Sequence, residues 1–384
     1  MKSRAVVEKV VGLVLVALAF VVYVATLSDG AFPGQSASLI VSHGGLFPKF
    51  SPASPLWGAL VSGLHAVSGD RFVDVLNLMS AIFAAVSVGL LYSLVREGLS
   101  IFIDDLSFSE TRKRLAIILG GAAASLCLSF CIPFWVVANR AHTAAFDVFL
   151  LLLTARLLMA YMDYGKLWIA LLFSLLFGLG VVEFATFIVV APLFGAWLIY
   201  VMWKRNVLRL YVVLSLVACA VIGLLAYLLA AWAFYESPGY FLRQYDGFFD
   251  VVWQMWRAQY FLISRSLPRE GWLVILIVTV VPWLAMLSVA RRGLIDERDW
   301  GLYFLHIIMT ALAVAVVLNT KIAPFAILGM GRLLVTPYVL VAMVFGYLVA
   351  YWFLLPSGWG RDPEARLTRF FRQVLGWVLI LPLV

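Results

Sequence analysis

Apolar residues run through this chain in blocks of about twenty, separated by short polar connections. That block length lets an α-helix cross a bilayer with every backbone group bonded inside its own segment. The pattern predicts eleven helical spans, over 8–27, 72–95, 115–137, 143–162, 167–184, 186–203, 210–233, 271–290, 302–319, 333–355 and 373–384. The pair 167–184 and 186–203 is short for two crossings. The final run, 373–384, reads as an incomplete helix or as part of a longer chain. Two polar stretches are long enough to build structure outside the bilayer. Residues 28–71 hold the turn Pro33-Gly34 before a short helix-like run, and a second such run starts at Pro55-Leu56-Trp57. Residues 234–270 are dense in Tyr, Trp and Phe beside Arg243, Arg257 and Arg265, which suits a short amphipathic helix at the depth of the lipid headgroups. Together the two stretches are expected to cover one cavity.

Composition agrees with this and excludes a soluble domain. Hydrophobic residues make up 64% and charged ones 12%, against roughly a quarter charged in soluble globular chains. The mean hydropathy is +1.03. The first run, Val10 to Leu27, follows Met1-Lys2-Ser3-Arg4 without a small-residue cleavage site after it, so it reads as a retained helix rather than a removed signal. A net charge of +8 does not point to nucleic acid, because the basic residues sit in the short connections. Lys and Arg divide about two to one in favour of the side holding the N-terminus, which places that side in the cytoplasm and the stretches 28–71 and 234–270 outside. Cys127, Cys131 and Cys219 lie within apolar runs and read as small core residues, not as a disulfide framework or metal knuckle. No internal repeat, low-complexity segment or soluble linker interrupts the pattern, so residues 1–384 read as a single all-α integral membrane domain.

The segment FVDVLNLMSAIFAAVSVGLLYSLVRE (72–97), with FPGQSASLI (32–40) and PASPLW (52–57) upstream, resembles a bacterial family of multi-pass membrane proteins of unknown function. That family is related to protein O-mannosyltransferases within the GT-C glycosyltransferases. Asn77, Leu78, Ser80 and Ala81 match its second-span motif, and 138–153 and 175–192 are similar to its next two outer corners, so the likeness covers roughly residues 10–200. The resemblance implies a GT-C-like bundle on the bacterial inner membrane. It also implies a lipid-linked, polyprenyl-phosphate sugar as donor, a protein or glycan as acceptor, and an acid of the first outer loop as catalytic base or metal partner. Here the sequence departs from the pattern, because Gln35 and Ser38 stand where relatives carry acids. A Gln cannot take up a proton at useful pH.

Asp29 is then the carboxylate left to act in that loop before Asp70, unless the acid comes from elsewhere or catalysis has been lost. Its plainer reading is a solvated turn residue in Ser-Asp-Gly. Glu183 is the second candidate, since a carboxylate in an apolar run faces either a cavity or a partner, and Arg140 or His142 at the neighbouring corner would be that partner. For the donor phosphate the candidates are Arg332, Arg257, Arg140 and Arg243, with Arg332 at a helix start after Gly329-Met330-Gly331. Headgroup snorkelling is the bland alternative for such residues. Gln35, His142 and Trp57 are candidates for the acceptor side. No pair among His43, His65 and His142 has the spacing of a metal motif, so no cofactor is assigned and a divalent metal stays open. Two other classes remain: a catalytically degenerate lipid-binding or assembly subunit of envelope biogenesis, which the replaced acids favour, and a transporter, which the missing repeats disfavour.

Overall fold

A computed structural model describes residues 2–32, 35–43, 54–103, 108–184, 186–235, 246–266 and 332–354. Among these residues the regular elements are all helical, with no strand. Five stretches are long and apolar enough to cross a membrane: Val6–Ala25, Pro55–Ile101, Glu110–Phe130, Thr143–Tyr164 and Leu210–Trp232. The chain thus has the all-α build of a membrane protein. The expected spans 271–290, 302–319 and 373–384 lie outside the described residues.

The helix α1 (Lys2–Ala25) is followed by the short α2 (Gln35–His43) and by α3 (Pro55–Ser68), which a 3-10 turn joins to α4 (Phe72–Ile103). The central helix is α4, which packs against α1, against α5 (Glu110–Phe130) and against α7 (Thr143–Tyr164). It runs past the expected boundary at 95 and spans about 48 Å, well beyond a hydrocarbon core of about 30 Å. The extension is possible because its charges are paired. Arg96 reaches Glu8 of α1 at 3.1 Å and Glu97 at 3.2 Å, and Arg156 of α7 meets Glu97 at 2.7 Å.

The expected span 115–137 is broken in two. α5 stops at Phe130, Cys131 is extended, and α6 (Ile132–Ala138) restarts with Pro133 in its first turn. Proline has no N–H to give to the carbonyl four residues back and disfavours a continuous helix. That carbonyl, on Ser129, accepts instead from the Tyr23 hydroxyl of α1 at 3.1 Å. The break therefore becomes a tie between α1 and α5.

Beyond α7 come α8 (Leu167–Glu183), α9 (Thr186–Lys204), α10 (Leu210–Leu224) and α11 (Ala226–Tyr235). The last two are nearly continuous through Leu225, whose backbone stays helical. The amphipathic α12 (Phe248–Ser266) lays Val251 and Met255 against Ala230 and Ala231 of α11, while Phe249, Trp253 and Trp256 stay exposed. Aromatic rings turned outward on one face are what a helix at the headgroup level presents.

The final described helix, α13 (Arg332–Leu354), packs on α5. Gly120 and Gly346 meet back to back there, and a Cβ on Gly120 would stand 2.7 Å from the Gly346 carbonyl oxygen. Small residues at such crossings let helix backbones approach closely. Gly346→Val is expected to force the two helices apart and lower stability by about 2 kcal/mol, read as a lower unfolding midpoint in detergent.

Candidate functional site

The end of the bundle that holds Ala25, Phe72 and Glu183 carries a polar platform, and its geometry starts from α4. Asn77 and Ser80, three residues apart, share one face of that helix. The Asn77 side chain is fully buried and makes three bonds. Its Nδ2 donates to the carbonyl oxygens of Ser28 at 2.9 Å and Gly30 at 3.2 Å, and its Oδ1 accepts from the Ala141 amide at 2.7 Å. One turn on, Ser80 Oγ accepts from the His142 amide at 3.3 Å. The segments 28–30 and 139–142 are also joined directly, with the Ser28 amide donating to the Asn139 carbonyl at 2.9 Å. An asparagine suits this position because it offers two donors and an acceptor in one plane, matching two carbonyls and one amide. The motif Asn77-Leu78-Met79-Ser80-Ala81 therefore acts as a clasp that holds the loop bearing Asp29 beside the corner bearing Arg140.

On this clasp Asp29 is exposed. Arg140 is buried, its Nε donates to the Val136 carbonyl at 2.7 Å, and its guanidinium carbon lies 3.7 Å from the centre of the Phe32 ring. Stacking on an aromatic face offsets part of the burial of a cation. Among the described residues no carboxylate forms an ion pair with Arg140. Burial alone pushes its guanidinium below the ordinary value, yet an arginine stays charged under such a shift. No ion pair joins Arg140 to Asp147, which is buried about one turn into α7. His142 is the N-cap of α7, its Nδ1 accepting from the Ala144 amide at 3.0 Å, which places the imidazole proton on Nε2 in the neutral ring.

Glu183 is buried at the last position of α8, and its carboxylate does not meet Arg140. It accepts from the amides of Leu56 at 2.7 Å and Trp57 at 3.3 Å. Those are among the free N–H groups that any helix start leaves without a partner. Pro55 supplies no donor at the first turn of α3, and Ser54 makes no side-chain cap. A carboxylate from another helix thus caps α3, in the place where a negative charge also suits the helix dipole. Trp57 is fully buried in the cluster this creates, with Leu39 and Ile40 of α2, Leu76 of α4, Ala141, Phe146 and Phe184. Its ring is a packing centre of the platform.

The remaining candidates lie on other elements. Gln35 opens α2, with Ser36 buried and Ser38 exposed just after it. Arg257 is exposed on α12, and Arg332 opens α13. Arg243 lies outside the described residues. The groups the structure brings together are the Asp29 loop, Phe32, Arg140, His142 and their clasp. Asn77 and Phe32 were not singled out by residue chemistry, and the match of Asn77 to a recurring motif was the available signal.

Residues 36–208 match the family model described as the N-terminal domain of the protein O-mannosyl-transferase TMEM260. The matched region runs from α2 to the end of α9 and includes Asn77, Arg140, His142 and Glu183, while α1 and Asp29 lie before it. Over these residues the chain is related to the protein O-mannosyltransferases. No curated protein matches the chain.

Proposed function

We propose that the platform end faces the outside of a bacterial inner membrane and serves a GT-C type glycosyl transfer, from a polyprenyl-phosphate sugar to a protein or glycan acceptor. The observation that carries this reading is Arg140, a buried guanidinium without a carboxylate partner among the described residues, held beside the exposed Asp29 by a shared clasp. In the transfer, an acceptor oxygen attacks the anomeric carbon and its proton passes to the Asp29 carboxylate. The bond from that carbon to the phosphate oxygen breaks, and the electron pair leaves with the polyprenyl phosphate. Arg140 meets the charge that grows on the leaving phosphate, and Arg257, Arg243 and Arg332 extend the cationic side of the donor site. The exposed rings of α12 rest against the membrane near the polyprenyl tail. Glu183 serves by fixing α3, with Trp57 beneath it. Relation to a protein O-mannosyltransferase domain supports a sugar donor and a protein acceptor, and makes mannose the first donor to try.

The test uses the full chain in proteoliposomes with polyprenyl-phosphate mannose and a peptide acceptor. Asp29→Asn is expected to lower transfer by about a hundredfold or more while the melting temperature holds. Arg140→Gln is expected to lower it by a similar factor, mostly in kcat. Wild-type transfer by Asp29→Asn would remove Asp29 as the base. Donor binding without transfer in the parent chain would favour a degenerate lipid-binding subunit, the reading that Gln35 and Ser38 recommend.

A further inference from the structure

Arg140 follows the end of α6, and its side chain folds back onto that helix. Its Nε donates to the Val136 carbonyl at 2.7 Å, one of the end carbonyls that a helix leaves without an internal partner. One face of the guanidinium is covered as well, because its central carbon lies 3.7 Å from the centre of the Phe32 ring. At that separation the two planar groups are in van der Waals contact. A guanidinium carries five N–H donors in one rigid plane. With the Nε donor on Val136 and one face against Phe32, the donors left to meet a ligand are those of Nη1 and Nη2. Their common edge is the fork that matches two oxygens of a phosphate.

Phe32 is not a core ring. It is 36% exposed and belongs to none of the four apolar clusters among the described residues. Its backbone is nevertheless fixed on both sides. Upstream, Asn77 holds the Ser28 and Gly30 carbonyls, and Gly30 has a φ of +91°, which glycine adopts without steric cost. Downstream, the Phe32 carbonyl accepts from the Ala37 amide of α2 at 3.1 Å. A ring held this firmly outside a core, and laid on a cation, has a task other than packing.

We infer that Phe32 is a positioning residue for the transfer, holding the Arg140 guanidinium in one plane so that its Nη edge faces the donor phosphate. The inference rests on the reading of Arg140 as the group that meets the leaving phosphate. An unrestrained arginine samples many rotamers, and ordering it when the donor arrives slows the reaction, whereas a side chain ordered beforehand is ready. An aromatic ring suits the task because its face attracts a cation without offering a strong acceptor. A carboxylate in its place would occupy the fork that the phosphate needs.

The experiment compares the full-length parent with Phe32→Leu, Phe32→Tyr, Arg140→Gln and Phe32→Leu/Arg140→Gln in the proteoliposome transfer assay. Arginine modification by phenylglyoxal, read by mass spectrometry at the peptide that holds Arg140, runs beside it. Phe32→Leu is expected to lower kcat about tenfold with KM within about twofold, at an unchanged unfolding midpoint. Phe32→Tyr keeps the flat ring and is expected to stay within about threefold of the parent. In the Arg140→Gln background Phe32→Leu is expected to add no further loss, since its effect passes through Arg140. Phenylglyoxal should react with Arg140 about tenfold faster in Phe32→Leu, while the exposed Arg71 reacts at the parent rate in every variant. An unchanged Arg140 modification rate in Phe32→Leu would overturn the proposal, whether or not transfer is seen. Parent kcat in Phe32→Leu, or losses that add in the double variant, would also overturn it. A parent chain that transfers no sugar, with modification faster in Phe32→Leu, would remove the transfer reading and keep Phe32 as the holder of Arg140.

Discussion

Glu183→Ala is expected to destabilise the protein by about 3 kcal/mol, and Glu183→Gln by about 1 kcal/mol. The difference follows from what the carboxylate touches. Its two oxygens accept from the amides of Leu56 and Trp57 at the uncapped start of α3. Alanine takes the acceptor from both donors, the buried Trp57 amide and the half-buried Leu56 amide. Glutamine keeps an acceptor oxygen for one of them and loses only the second bond and the charge that favours a helix N-terminus. The same pair of variants separates capping from proton transfer. A group that takes a proton from the acceptor fails equally as Gln or Ala, whereas a cap keeps much of its action as Gln. Transfer rate measured beside the melting temperature is the deciding comparison. Glu183→Gln retaining more than about a tenth of the parent rate, with Glu183→Ala losing its platform, is the capping outcome.

The membrane helices were legible because a bilayer demands long apolar runs, and such runs are visible in one dimension. Their interruptions were not. Residues 115–137 read as one apolar run, although Pro133 stands in it, since a proline within a membrane helix is tolerated whenever another group takes up the freed carbonyl. The tyrosine that does so, Tyr23, lies 106 residues earlier. The extension of α4 through Arg96 and Glu97 depends likewise on Glu8 and Arg156, which only the packing of α1 and α7 brings near. Glu183 drew attention as a carboxylate out of place, but the partners expected for it were side chains, Arg140 or His142. Among its partners are backbone amides at a proline-led helix start. A backbone N–H has no residue identity, so no sequence pattern announces where it will be left over. The same blindness hid the role of Asn77. The motif around it was visible, but its three bonds end on the backbone of Ser28, Gly30 and Ala141, in segments 47 to 64 residues away.

Asn77→Ala is expected to cost about 3–4 kcal/mol, the largest single-residue loss among the platform's polar side chains. It removes one acceptor and two donors at a fully buried position and leaves the Ala141 amide with no partner in an apolar surround. Asn77→Asp is expected to be at least as harmful although it is nearly isosteric. It keeps the acceptor for Ala141 but turns a carboxylate oxygen toward the Ser28 and Gly30 carbonyls, where two donors stood. Hydrogen exchange at Ala141 gives the local readout, and its amide should exchange more than tenfold faster in Asn77→Ala than in the parent. Unfolding in detergent gives the global one. If Asn77→Asp proved as stable as the parent, the donor half of the clasp would be dispensable, and the Asp29 loop would be held by the Ser28–Asn139 bond and the stacking of Phe32 on Arg140. If the exchange rate changed while stability did not, the clasp would order the platform without supporting the bundle, and Asn77 would belong to the transfer site through Asp29 and Arg140 rather than to the fold.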